Sequence, residues 1–279
     1  MAEPVVMLVD NGSKRAAATL SLRAIAADLS AASGREVHPV SLQHSDGIDP
    51  EELGGIPALV LADFLRPQLE QGRREFVAVP LFFGMSRALT VFIPEQLESL
   101  TKEFGEFSFR LADVLSPMPQ GEPLLADILA DNVTRGCAEL GAEASCVIVV
   151  DHGSPLPEVT AVRAKVTMTL RERLPDDVWL SQAVMERRKG ADYDFNGQLL
   201  GDLLDTCVTP GGSAVVVLAM MFISPGRHAG PGGDVEAICA EATARNPGLQ
   251  LKISPLISEH PLLIGILLAR LEAVIQLRG

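Results

Sequence analysis

The chain has 279 residues and a net charge of −13, with 47% hydrophobic residues, so it is long enough for one large or two small domains. The acidic balance argues against nucleic acid and anionic lipid as partners, because phosphate contacts need clustered Lys and Arg. Its four cysteines form no CxxC pair, which gives no support to a zinc ribbon or a thioredoxin site and fits a reducing compartment. No apolar run reaches the roughly 18 residues of a membrane span. We therefore expect a globular protein of the cytoplasm.

Strand patterns and helix patterns alternate along both halves of the chain. The predicted strands cover residues 5–9, 37–42, 75–83, 107–115, 147–150, 178–185, 214–222 and 249–254. The predicted helices cover residues 15–32, 94–104, 123–135, 157–173, 194–206, 233–245 and 261–277, and a further helix begins at Pro50. The apolar run 58–64 is too short for its periodicity to separate helix from strand. Such alternation predicts an α/β fold in which parallel sheets are flanked by helices.

One phrase that ends a strand occurs twice, as Asp10-Asn11-Gly12-Ser13 and as Asp151-His152-Gly153-Ser154. A second echo joins the Pro-Leu-Leu that opens residues 123–129 to the one that opens 261–267. The two offsets, 141 and 138 residues, are nearly equal. We predict a tandem duplication, with an N-terminal domain over 1–138, a C-terminal domain over 139–279 and a ligand cleft between the two lobes.

Two of the five histidines stand apart from the others. His152 and His228 each follow directly on a strongly apolar strand, and the carboxyl ends of parallel strands are where ligands bind in open α/β sheets. Two neutral imidazoles from separate loops suit cobalt, iron or nickel and leave open positions on the ion, although an unrelated placement of the pair stays open. His38, inside a strand, is expected to be structural, and His260 to serve the start of the last helix. His44 follows the second strand on the predicted cleft side.

Charged residues near these histidines have more than one interpretation. Glu186 follows the strand 178–185, so it is a third metal ligand, a proton acceptor or a solvated charge. The basic run 187–189, together with Arg163 and Arg227, forms either a patch for a polycarboxylate substrate or a merely solvated surface. The helix that begins at Gly233-Asp234 offers an N-terminus that could hold an anion.

At these residues the sequence resembles the class II chelatases, the sirohydrochlorin cobaltochelatase and ferrochelatase family, in its long two-repeat form. The matching pieces are the phrases 151–154 and 222–228, the helix start after Gly233 and the segment that begins at Pro261. The resemblance implies two tandem chelatase-like lobes and the insertion of Co²⁺, Fe²⁺ or Ni²⁺ into sirohydrochlorin or a related tetrapyrrole. It implies neither ATP nor an organic cofactor, and a monomer or a homodimer is expected.

The resemblance also implies roles for single residues. His152 and His228 inherit the metal ligation and, with Glu186, the catalytic roles. Substrate contacts are implied for six residues, namely Ser154, Gly226, Arg227, Asn11, Arg87 and His44.

The first repeat departs from the family pattern. Asn11 stands where the second repeat has His152, and Ala88 lies near the position of His228. His44 is expected opposite Glu186 in the repeat. The first lobe is therefore predicted to be a scaffold without metal chemistry. Three hypotheses remain, namely an active chelatase, a non-catalytic tetrapyrrole or metal carrier, and a structural or regulatory protein whose two histidines are incidental.

Overall fold

The computed structural model describes residues 3–209 and 212–276, which contain two four-stranded parallel sheets. The first sheet has the order β2-β1-β3-β4 and is built from β1 Val5–Asp10, β2 Val37–Ser41, β3 Glu75–Pro80 and β4 Ser108–Leu111. The second has the order β6-β5-β7-β8 and is built from β5 Cys146–Asp151, β6 Trp179–Val184, β7 Ala214–Met220 and β8 Leu249–Ile253. The helices are α1 Ala16–Ser33, α2 Leu61–Glu70, α3 Ile93–Phe104, α4 Pro123–Leu140, α5 Pro157–Arg171, α6 Leu200–Thr206, α7 Asp234–Arg245 and α8 Leu262–Gln276. The predicted fold class, two tandem lobes that each hold a parallel sheet flanked by helices, is confirmed.

The central strands of both sheets are buried on both faces. In β5 the four residues Val147–Val150 are 0% exposed, as expected for a parallel strand covered by helices on either side. The strand pairs with β6 on one side and β7 on the other. Its continuous apolar run therefore identified a central strand, and it sends the following turn to the middle of the sheet edge.

Several predicted elements differ from the observed ones in length. The helix expected from Pro50 is only a short 3₁₀ turn, Pro50–Leu53, which ends at Gly54 with a left-handed φ of 73°. The ambiguous run 58–64 leads into α2. The single helix expected over 194–206 divides into a 3₁₀ turn, Ala191–Asn196, and α6. In both segments a local turn interrupts a stretch whose composition predicts a continuous helix.

The chain forms two compact units, one with the residues up to Pro117 and from Ile264 onward, the other Met118–Leu263. The terminal helix of each repeat packs on the sheet of the other repeat. In the second unit, α4 lies so close to β7 that a Cβ on Gly136 would sit 3.2 Å from Cγ1 of Val217. In the first unit, Arg270 of α8 donates to the Val114 carbonyl oxygen at 3.0 Å. The boundary at 138/139 stays a prediction for the joint of the sequence repeat. The compact units divide elsewhere, because each contains the terminal helix of the other repeat.

The backbone after the central strand follows the same course in both units. The amide of Leu42 donates to the carbonyl oxygen of Asp10 at 2.8 Å, and the amide of Met185 donates to that of Asp151 at the same distance. These bonds align the two repeats residue by residue at the sheet edge. In the described ranges, none of the helices has the length and apolarity that crossing a membrane requires.

Candidate metal centre

The turn that carries His152 depends on a glycine. Gly153 has a φ of 93°, which favours glycine, and a Cβ at this position would lie 2.1 Å from the backbone oxygen of Glu186. The turn after β5 and the end of β6 are therefore in close contact. This contact places the Glu186 side chain beside the imidazole, with Oε1 3.2 Å from Nε2 of His152.

His228 is held by a carboxylate at the start of α7. Nδ1 of His228 lies 2.7 Å from Oδ2 of Asp234, the first residue of that helix. An imidazole that donates from Nδ1 to a carboxylate keeps its lone pair on Nε2, which is the arrangement that supports histidine as a metal ligand. The loop before it is closed by a hydrogen bond from the Gly226 amide to the Ala229 carbonyl oxygen at 2.6 Å.

The structure brings the two predicted imidazoles together. The ring centroids of His152 and His228 are 4.5 Å apart, and the ring planes make an angle of 72°. Their side chains are 44% and 30% exposed, so an ion arriving from solvent can reach them. Over the described ranges, no group of three or more His, Cys, Asp or Glu side chains is arranged to hold an ion. Two imidazoles in this arrangement could hold one ion and would leave most of its coordination positions open.

His152 also has acceptors at both of its ring nitrogens. Nδ1 lies 3.0 Å from the Gly153 carbonyl oxygen, and Nε2 faces Glu186. Because a carbonyl oxygen only accepts, Nδ1 must carry a proton. Nε2 can then either give its lone pair to an ion or carry a second proton toward the Glu186 carboxylate. The geometry therefore allows one ring to alternate between metal ligand and proton acceptor.

Arg163 does not belong to a surface patch, contrary to the prediction. Its residue is 2% exposed, and Nη1 contacts Oδ1 of Asp151 at 2.5 Å while Nε donates to Gln182 at 3.0 Å. Burial raises the pKa of the Asp151 carboxyl above its ordinary value, and the charge of Arg163 opposes this shift. The helix periodicity gave no sign that this arginine faces the sheet.

The anion site expected at the start of α7 is filled by the protein's own carboxylates. Asp234 faces His228, and Glu236 accepts from the Gly232 amide at 2.7 Å. In the predicted patch, Arg187 pairs with Asp194 at 3.0 Å, whereas the Arg227 side chain is 76% exposed and lies 3.9 Å from Asp234. The Arg227 side chain is therefore more exposed to an approaching anion than the Arg187 side chain, which is 33% exposed.

Three other residues considered from the sequence, two in the second repeat and one in the first, make local structural contacts. Ser154 Oγ accepts from the Leu156 amide at 3.0 Å and so helps to start α5. His260 Nδ1 accepts from the Leu262 amide at 3.3 Å, in keeping with its expected role at the start of the last helix. His38 packs on Phe64 with ring centroids 5.0 Å apart, which agrees with its structural assignment.

The first repeat keeps the turn but replaces the imidazole and the carboxylate. Gly12 has a φ of 84°, and a Cβ there would lie 1.7 Å from the backbone oxygen of Gln43. Gln43, not His44, is therefore the counterpart of Glu186, which corrects the predicted alignment by one residue. Nε2 of Gln43 lies 3.4 Å from Oδ1 of Asn11, so two amides stand where the second repeat has imidazole and carboxylate.

The second histidine is lost at the corresponding position as well. The amide of Leu81 donates to the Val9 carbonyl oxygen at 2.7 Å, as the amide of Met221 does to that of Val150 at 2.8 Å. Counting from these bonds places Ala88 where the second repeat has His228, as predicted. Arg87 then matches Arg227, and the side chains of Asn11, His44 and Arg87 are all exposed.

A cavity of about 660 Å³ in the second unit lies elsewhere. It is lined by Ala144 and Val147 at the amino end of β5, with Cys137 and Arg173 on neighbouring elements. The imidazole pair follows the carboxyl ends of the strands, so this cavity does not serve it.

The fold and the site define a two-repeat α/β protein with a pair of adjacent imidazoles in one repeat. The CbiX family model matches residues 5–135 and again residues 146–274. The chain therefore belongs to the CbiX family, and the double match confirms the repeat predicted from the sequence.

Solved structures of similar fold extend over nearly the whole chain. SirB from Bacillus subtilis with Fe³⁺ has a TM-score of 0.67 at 15% identity, and the match covers 98% of this chain and 96% of that one. The sirohydrochlorin chelatase SirB from Bacillus subtilis subspecies spizizenii, in complex with cobalt, has a TM-score of 0.65 at 14% identity, with 99% and 97% covered. CbiX, described as the terminal enzyme for biosynthesis of siroheme in denitrifying bacteria, has a TM-score of 0.59 at 14% identity, with 96% and 98% covered. Comparison with curated proteins gives no match. At these identities the structures show a shared fold.

Proposed function

We propose that this protein is a chelatase that inserts Co²⁺, Fe²⁺ or Ni²⁺ into sirohydrochlorin or a related tetrapyrrole, without ATP and without an organic cofactor. The observation that carries the proposal is the adjacent pair of imidazoles, His152 and His228, whose ring centroids are 4.5 Å apart. The pair lies in a chain of the CbiX family. The iron and cobalt named for the two SirB structures fit this choice of metals, since imidazole binds all three ions.

The metal is the substrate and has to leave the protein. Asp234 orients the ring of His228 so that Nε2 is free to bind the ion, and Nε2 of His152 supplies the second ligand. An ion held by only two protein atoms keeps open positions, which pyrrole nitrogens can fill before the imidazoles dissociate. A closed four-ligand site would hold the ion against transfer.

Insertion releases two pyrrole protons, and the second repeat has a route for them. Once His152 gives up the ion, its Nε2 can accept a proton, and the neighbouring Glu186 stabilises the resulting cation. The Glu186 side chain is 61% exposed, so it can pass protons on to water. Glu186 thus acts in this proposal as a proton acceptor rather than as a third ligand.

Other roles remain predictions. The exposed Arg227 suits a carboxylate of the macrocycle, and Ser154 and Gly226 are predicted to line the same edge. Asn11, Arg87 and His44 are predicted substrate contacts from the first repeat, and His44 keeps this role although it is not the counterpart of Glu186. Location in the cytoplasm, and a monomer or a homodimer, are expectations from the sequence.

The test is metal insertion followed anaerobically by the visible spectrum of the tetrapyrrole. The insertion rate of the double variant His152→Ala, His228→Ala should be lower than the wild-type rate by about 100-fold or more, which is the typical effect of removing a general base. The matched control is His38→Ala, which removes an imidazole that packs on Phe64 in the other unit and should leave the rate unchanged. A double variant as fast as the wild type contradicts the proposal.

A second candidate is a non-catalytic carrier of tetrapyrrole or metal. The loss of both imidazoles from the first repeat, where Asn11 and Ala88 stand, favours it because degenerate sites often keep binding without turnover. Equilibrium titration with metallated and metal-free tetrapyrrole separates the two functions, since a carrier binds the metallated form tightly and shows no insertion.

A further inference from the structure

Two buried polar residues fix the backbone on either side of His152. Asn196, the last residue of the 3₁₀ turn Ala191–Asn196, is 1% exposed, and Arg163 is 2% exposed. The ring nitrogens of His152 face other partners, the Gly153 carbonyl oxygen and the Glu186 carboxylate. We propose that Asn196 and Arg163 are positioning residues that hold His152 at the correct distance from His228, a role that rests on the proposed function of the imidazole pair.

Asn196 holds the turn on the carboxyl side of His152. The amide of Ser154 donates to Asn196 Oδ1 at 2.9 Å, and Asn196 Nδ2 donates to the Ser154 carbonyl oxygen at 2.8 Å. Both polar atoms of the Asn196 amide thus bond to the backbone of Ser154, and these two partners define the orientation of the amide. Further bonds to Thr160 Oγ1 at 3.2 Å and to the Tyr193 carbonyl oxygen at 3.2 Å hold the amide in place.

Arg163 holds the turn on the amino side. Its Nη1 contacts Asp151 Oδ1 at 2.5 Å, and the same oxygen accepts from the Gly153 amide at 3.0 Å. Its Nη2 donates to the Asn196 carbonyl oxygen at 2.5 Å. One guanidinium therefore links both anchors, and His152 lies between two residues, Asp151 and Ser154, that cannot move independently. We call Arg163 and Asn196 the turn clamp.

The repeat provides an internal comparison for the clamp. Counting along the helices from Asp10 and Asp151 places Leu22 where α5 has Arg163. The bridges from Ser41 to Val60 and from Val184 to Leu199 place Pro57 where the second repeat has Asn196.

The first repeat, which lacks counterparts of His152 and His228, thus also lacks both clamp residues, although its glycine turn is retained. Oδ1 of Asp10 is correspondingly buried with no hydrogen-bond partner. The clamp is therefore not needed to form the turn. The clamp residues occur only in the repeat that carries His152. A positioning role requires this association, whereas a purely structural role in forming the turn would also require the residues in the first repeat.

The experiment uses Asn196→Asp, which keeps the shape but replaces the donor facing the Ser154 carbonyl oxygen with an acceptor. A second variant, Arg163→Lys, keeps the charge but cannot form the fork to Asp151 and Asn196. The matched control is Arg173→Met, which breaks an arginine–aspartate contact with Asp127 in the same unit, away from the turn.

The first measurement needs no metal. Hydrogen exchange of the Gly153 and Ser154 amides should speed up at least tenfold in both clamp variants and stay at the wild-type rate in the control. The second measurement is the Co²⁺ affinity and visible spectrum of the protein under conditions where unfolding curves show every variant to be folded. Affinity should fall about 10- to 100-fold in the clamp variants, the usual effect of residues that orient metal ligands, and stay unchanged in Arg173→Met.

The outcomes separate the two proposals. Unchanged exchange in both variants overturns the clamp, and so does faster exchange with wild-type cobalt affinity and spectrum. An affinity loss of equal size in Arg173→Met assigns the effect to stability and also overturns it. If the wild type and His152→Ala bind Co²⁺ equally, the proposed function fails, and the exchange measurement still decides whether the clamp holds the turn.

Discussion

The substitution Gly153→Ala tests the close contact from which the site is built. The residue has a φ of 93°, and the added Cβ would meet the backbone oxygen of Glu186 at 2.1 Å. The control is Gly141→Ala in the same unit, where φ is 66° and nothing lies within 4 Å of the added carbon. The control introduces only backbone strain, whereas Gly153→Ala introduces strain and a clash with backbone.

The structure gives a magnitude for each substitution. A left-handed conformation costs an alanine about 1–2 kcal/mol, which is the whole effect expected at Gly141. At Gly153 the clash can be relieved only by moving the strand end, which breaks the hydrogen bonds from Met185 to Asp151 and from Glu186 to His152. At about 1 kcal/mol for each bond, Gly153→Ala should destabilise the second unit by about 3–4 kcal/mol.

The assay is urea unfolding followed by the fluorescence of Trp179. It is the one tryptophan of the chain and lies in β6 of the second unit, so the signal reports the unit that carries both substitutions. We expect Gly153→Ala to lose about 2 kcal/mol more than Gly141→Ala, and to bind Co²⁺ more weakly because His152 moves. Equal losses for the two variants would refute the view that the turn is held rigidly against Glu186.

Three further predictions address single interactions. Asp234→Asn should lower Co²⁺ affinity about 10- to 100-fold, measured by titration, because the Nδ1 proton of His228 loses its carboxylate; an unchanged affinity would mean that the pairing is incidental. Arg163→Met should destabilise the second unit by about 3–5 kcal/mol in urea unfolding, since it leaves the Asp151 carboxylate buried without its partner; a loss below 1 kcal/mol would show that the ion pair is unimportant. Burial raises the pKa of the Asp10 carboxyl from 3.8 to about 6, so the folded protein favours the protonated form. The contribution of this group to folding stability is therefore complete below pH 3.8 and is lost as the pH rises through 6. Asp10→Asn should accordingly show a smaller fall in thermal unfolding midpoint between pH 5 and pH 7 than the wild type, and parallel curves for the two proteins would contradict this.

The sequence predicted the layout of the sheet edge well because its signals are local. The β-branched run Val147–Val150 favours a strand buried on both faces, and the glycine that follows the next two residues permits a sharp turn. His152 directly follows β5, and His228 lies in the loop that follows β7, so the parallel arrangement of the two strands predicts both histidines at the same edge of the sheet. The repeat supplied the comparison that exposed the losses at Asn11 and Ala88.

Long-range packing could not be predicted from the same signals. The exchange of α4 and α8 between the two repeats depends on tertiary contacts, and the sequence of their apolar faces does not indicate which sheet they cover. The sequence predicts a surface position for Arg163 because charged residues are almost always exposed. The partners that allow its burial, Asp151, Gln182 and the Asn196 carbonyl oxygen, lie on other elements. The predicted match of His44 with Glu186 implies an offset of 142 residues between the repeats. The offset is 141 at Asp10 and Asp151 but 143 in the loop after β2, so Gln43 corresponds to Glu186.

Asp234 and Asn196 were missed for a related reason. The position of Asp234 at the start of a helix predicts only a favourable interaction with the helix dipole. Its contact with Nδ1 of His228 is visible only in the folded loop. Asn196 lies 42 residues from the turn that it holds, a separation at which sequence patterns carry no information about contact.

The central claim is that His152 and His228 together bind one divalent ion, and a crystal structure after a cobalt soak, with anomalous scattering recorded, tests it most directly. We predict one anomalous peak about 2.1 Å from Nε2 of each ring, in the second repeat and not beside Asn11. A map in which the two rings share no peak, or in which cobalt binds elsewhere while both rings keep their positions, would contradict the account.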